Sequence, residues 1–102
     1  MAGDDLMEMV QLYLRHNMEA VGRVIGEEER THNPLDKGEL ARLKYLISKV
    51  QGAEVFTENE VEEYNALVGK LKEGKDKTDP GLAALVTVGD LLAGLKPSAA
   101  DT

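Results

Sequence analysis

The chain has 102 residues, 42% of them hydrophobic and 30% charged, which predicts one soluble globular domain rather than a disordered segment. Its net charge of -7 argues against a surface that grips a nucleic-acid backbone. The absence of cysteine excludes disulfides, thiol catalysis and thiolate metal sites.

The N-terminal segment MAGDDLMEMV opens acidic, with no basic stretch before an apolar run, so it does not read as a secretory signal. From about residue 5 to about residue 30, apolar residues recur three and four apart: Leu6, Met7, Val10, Tyr13, Leu14, Met18, Val21, Val24 and Ile25. This spacing predicts one long helix of ~25 residues and ~38 Å, ended by Asn33-Pro34. Such a rod overhangs its shorter neighbours and must fray, bend or find a partner. Asn17 interrupts its heptad seam, either as the wet edge of a broader stripe or as a polar residue that sets register. Met9 and Leu12 fall on the back of the seam and add apolar surface there.

The second and third helices begin alike. In LDKGEL, Asp36 caps and Glu39 answers three residues on, with Leu35 and Leu40 as a hydrophobic staple. In FTENEV, Thr57 caps, Glu60 answers, and Phe56 staples to Val61. These helices run from about 36 to 51 and from about 58 to 73. The first buries Leu40, Leu43, Leu46, Ile47 and Val50 and stops at Gly52. The other buries Val61, Tyr64, Leu67, Val68 and Leu71 and stops at Gly74, a residue suited to a left-handed cap. The polar run EGKDKTD reads as a solvated linker.

Asp79 then caps a fourth helix, about 80 to 95, with Pro80 at its first position. Around this helix Leu82, Leu85, Val86, Val88, Leu91, Leu92 and Leu95 cover an arc of roughly 220°, twice what an outer bundle helix needs. Either its own chain surrounds it or a second copy covers the excess, and self-association is the favoured expectation. The expected fold is all-α, a compact four-helix bundle over residues 1–96, with 97–102 as a flexible tail.

Motifs that carry chemistry are few. GKLKEGKD has the G-x4-G-K core of a phosphate loop, but Asp76 stands where Ser or Thr must hold magnesium, and the segment ends a helix. DKTDPG resembles the start of a calcium loop but puts Pro80 at a ligand position. In GEEERTH, Glu29 and His32 form a Glu-x-x-His pair whose spacing resembles that of ferritin-like di-iron carboxylate bundles. The resemblance covers this short run alone. A metal site of Glu28, Glu29 and His32 would need dimerisation to complete it.

His16 and Glu19, with Arg23, read as surface ion pairing. The acidic group of Glu54, Glu58, Glu60, Glu62 and Glu63 suits the positive end of the third helix. The joint between the second and third helices is too long for a DNA-reading turn.

The expected function is that of a non-enzymatic protein–protein interaction module, self-associating as a dimer through Met9, Leu12, Val86, Val88, Leu91 and Leu95. It would be cytoplasmic, without cofactor, nucleic acid or membrane, and with an unidentified protein partner. The alternatives are the carboxylate–histidine metal protein and an acidic regulator that occupies a nucleic-acid site on a partner.

Overall fold

One side chain divides the first expected helix. The computed structural model describes residues 2–75 and 78–95, with side chains from Leu6 to Lys75 and from Thr78 to Gly94. It contains helices α1 (Ala2–His16), α2 (Met18–Thr31), α3 (Lys37–Gln51), α4 (Glu58–Glu73) and α5 (Pro80–Leu95), and no strand among the described residues. The all-α expectation holds. The expected count of four helices does not, because the long helix breaks at Asn17.

The break has a local cause. Asn17 Nδ2 donates to Tyr13 O at 2.8 Å, the carbonyl that the Asn17 N–H also reaches, at 3.2 Å. The same N–H bonds Leu14 O at 3.0 Å, tightening the turn, and the backbone leaves helical geometry at ψ 9°. A side-chain amide competing for helix carbonyls bends the chain in this way. The ~38 Å rod becomes two pieces of roughly 22 Å each, matching their neighbours. The overhang is removed by bending.

Both capping boxes form. Asp36 Oδ1 accepts from Glu39 N–H at 2.8 Å while Glu39 Oε1 accepts from Asp36 N–H at 3.0 Å. Thr57 Oγ1 accepts from Glu60 N–H at 3.1 Å, and Glu60 Oε1 accepts from Thr57 N–H at 2.9 Å. All four staple residues, Leu35, Leu40, Phe56 and Val61, are buried. Asp79 caps α5, accepting from Gly81 N–H at 2.8 Å and Leu82 N–H at 3.3 Å.

The helix ends correct one expectation. Gly52 and Gly74 have φ of -90° and -102°, so neither is left-handed; Ala53 (φ 53°) and His32 (φ 48°) are. After α3 the Glu54 N–H reaches Lys49 O and the Ala53 N–H reaches Val50 O, both at 2.9 Å. That is a Schellman closure one residue later than expected. Gly74 serves a steric purpose instead: a Cβ there would stand 2.7 Å from Pro34 Cδ.

α5 lies within its own chain, packed against α1, α2 and α4. Leu82, Ala84, Leu85, Val88 and Leu92 are buried, Val86 is half-buried against the core, and Leu91 alone of its described leucines remains exposed, at 41%. Most of its apolar arc is therefore enclosed by three neighbours of the same chain. The Tyr64 hydroxyl reaches across to donate to Leu85 O at 2.8 Å, and burial pushes the phenol well above its ordinary pKa, so it stays a neutral donor. At the other end Gly81 meets α2: a Cβ there would overlap the Ala20 carbonyl and lie 2.7 Å from Val24 Cγ2. The core around α5 is continuous from Met7 to Leu92. Among the described residues no helix is long and apolar enough to cross a membrane. The expected tail, 97–102, lies outside them.

Gly81 and Gly22 should respond oppositely to alanine. Gly81→Ala forces α5 off α2 and should cost roughly 1–3 kcal/mol. Gly22→Ala, with nothing within 4 Å, should gain about 0.5–1 kcal/mol from reduced chain entropy. Urea denaturation of both variants measures the difference.

Candidate functional site

Helix α1 has two apolar sides. Its inner side buries Met7, Val10 and Leu14 in the core, with Tyr13 half-buried beside them. Its outer side presents Leu6, Met9 and Leu12 at 45%, 62% and 49% exposure. Spaced three apart, these side chains adjoin one another on successive turns. Leu6 belongs to the apolar spacing of the first helix but not to its inner side. It lies about 100° around the helix from Met7, and that rotation carries it outward.

The six expected interface residues do not share one surface. Met9 and Leu12 are open on α1 and Leu91 is open on α5. Val86 packs partly against the core, and Val88 is fully buried in it, so Val88 offers no surface to a second chain. The Leu95 side chain lies outside the described residues. The other exposed large apolar residues, Tyr45 and Val55, stand apart on α3 and the loop after it, and Arg42 covers the Tyr45 ring at 4.9 Å.

The expected metal ligands are turned to other partners. Glu28 is fully buried at the end of α2, where Oε1 accepts from Leu35 N–H at 3.1 Å. Its Oε2 has no hydrogen bond, but the Lys75 ammonium stands 3.1 Å away. Lys75 also pairs with Glu27. Glu29 points elsewhere, to Lys44 Nζ at 2.5 Å, and His32 is exposed at the left-handed end of α2. No group of three or more His, Asp or Glu side chains among the described residues is placed to hold a metal ion.

The Glu28–Lys75 contact corrects the reading of EGKDKTD as solvated throughout. The Lys75 side chain is only 8% exposed and clamps the turn after α4 to the end of α2. Burial works against its charge, but the adjacent Glu27 and Glu28 carboxylates outweigh that and hold the ammonium above the ordinary lysine range. Sequence spacing could not reveal this pair, because its members lie 47 positions apart and the short motif that contains each one does not point to the other.

A second inward ion pair joins α3 to α4. Lys49 Nζ reaches both oxygens of Glu60, at 2.8 and 2.9 Å, and lies 5.2 Å from the Phe56 ring centre. Lys49 together with the Thr57 N–H holds the Glu60 carboxyl below its ordinary pKa. Lys70 and the Asp36 N–H do the same for Glu39, and Lys75 for Glu27. A recess of about 220 Å³ opens between α1, α2 and α3, lined by Gln11, Arg15, Met18 and Gln51. Two of its lining residues already bond each other: Gln11 Nε2 donates to Gln51 O at 2.5 Å.

Two outcomes follow. Lys75→Met leaves a buried carboxylate without its cation and should cost about 3–5 kcal/mol in urea unfolding. Adding Glu28→Gln should recover much of the loss, since the neutral amide can still accept from Leu35. Because folding depresses the Glu27, Glu39 and Glu60 pKa values, their stabilisation is complete above the unfolded value of ~4.3 and lost as pH falls through the folded values. The urea midpoint should therefore drop below roughly pH 4, and Lys49→Met should make that drop shallower.

The chain finds no match among protein-family models, curated proteins or solved structures.

Proposed function

We propose that this protein is a non-enzymatic interaction module that self-associates, and that the outer face of α1 is its contact surface. One observation carries the reading: Leu6, Met9 and Leu12 form a row of large apolar side chains facing water. Single exposed apolar residues are ordinary on protein surfaces, whereas contiguous ones mark interaction sites. The enclosure of α5 removes the other ground for a dimer, so self-association now rests on α1. The lack of cysteine suits a reducing compartment, and the reading places the module in the cytoplasm.

Three half-exposed side chains make a small contact, at the weak end of protein–protein interfaces. Sedimentation equilibrium from roughly 20 µM to 1 mM spans the affinities expected of such a contact. The weight-average mass should rise from 11.1 kDa toward twice that value. Met9→Glu should stay monomeric with an unchanged circular dichroism spectrum, and Leu91→Glu should still dimerise. A strict monomer across the range would overturn self-association. Loss of the dimer in Leu91→Glu but not in Met9→Glu would move the contact to α5.

A further inference from the structure

The occupant of the α1 face can be specified more closely, on the basis of the self-association proposed above. Along α1 the positions 9, 12 and 16 face outward, spaced three and four apart. That is the repeat by which two helices pack along their length. Met9 and Leu12 begin this line, and both are exposed. Helical geometry puts Leu6 and Tyr13 along one flank of this line and Glu8 and Arg15 along the other.

We infer that a second copy of this chain docks its α1 antiparallel to the first, about a two-fold axis passing between Met9 and Leu12. In that register residue 9 is level with residue 12 of the second copy, and each Met9 packs on the opposite Leu12. The flanks then meet like with like. Leu6 lies beside Tyr13 of the other copy, an apolar pair, and Glu8 lies beside Arg15, an ion pair made twice by the symmetry. Glu8 and Arg15 are exposed, and among the described residues neither is ion-paired within its own chain.

A parallel pairing fails this matching. It sets Glu8 beside Tyr13 of the second copy, a charge against a ring, and leaves Arg15 near the end of the contact. The charge layout along α1 favours the same choice. Glu8 falls in its first half and Arg15 and His16 in its last turn, so the helix is complementary to itself only when reversed. Antiparallel helices also set opposite dipole ends together. The break at Asn17 limits the contact to the length of α1, so nothing beyond one helix need separate or refold for two copies to meet.

Charge reversal tests the direction. Glu8→Lys or Arg15→Glu alone places like charges together at both ends of the contact and should weaken dimerisation about tenfold or more. The double variant carrying both changes restores opposite charges only in the antiparallel register, and its affinity should return to within about twofold of the unaltered chain. Both positions are exposed on a helix, and circular dichroism with thermal unfolding checks that each variant remains folded. A dimer indifferent to the single reversals, or weakened by them and not rescued by the double change, would overturn the antiparallel seam while leaving self-association standing. An unaltered chain that is monomeric at about 1 mM would overturn both.

Discussion

The enclosure of α5 is the constraint on which the rest of the molecule depends. A helix with one charged residue and apolar side chains over more than half its circumference cannot lie on the outside of a bundle. Three helices of the same chain close around it: α2 by direct approach at Gly81, α4 through the Tyr64 hydroxyl and the packing at Gly89, and α1 along the remaining side. For α1 and α2 both to reach it, the long N-terminal helix has to turn. Asn17 supplies the turn by diverting a carbonyl from the helix ladder. The acidic surface and the greasy last helix are thus two parts of one arrangement, charges outside and the last helix within.

Turning the chain at Asn17 also decides what is left uncovered. α1 spends one side on α5 and α3, and its other side keeps Leu6, Met9 and Leu12 in water. The rest of the surface is tied together by charge pairs between elements distant in sequence, such as Arg42 with Glu63 and Lys70 with Glu39. Exposed pairs of this kind contribute little individually. The inward ones, Lys49 with Glu60 and Lys75 with Glu28, matter more, because removing one member leaves a charge with little access to water, and for Glu28 with none. They fasten the loops that hold α3, α4 and α5 in order, leaving on α1 a row of apolar side chains that the fold itself does not use.

Local grammar made most of the helices legible. Asp36 with Glu39 and Thr57 with Glu60 form the hydrogen bonds their spacing implies, and the expected core positions of α3 and α4 are all buried. Those signals are readable because donors, acceptors and apolar partners lie within five residues of one another. Gly74 shows the limit of such reading. Its place at a helix end suggested a left-handed residue, yet what requires a glycine there is the ring of Pro34, 40 positions away in the chain.

The sequence by itself determined an all-helical protein, three helix starts with their caps, and the presence of more apolar surface than one stripe per helix can bury. Only the tertiary structure decided how that surface is divided. It put Val88 inside and Leu6 and Met9 outside, and joined Glu28 to Lys75. The physical reason is that helical periodicity fixes the angle between residues on one rod, but not which side of the rod a neighbour will occupy. That choice belongs to the packing of all five helices at once.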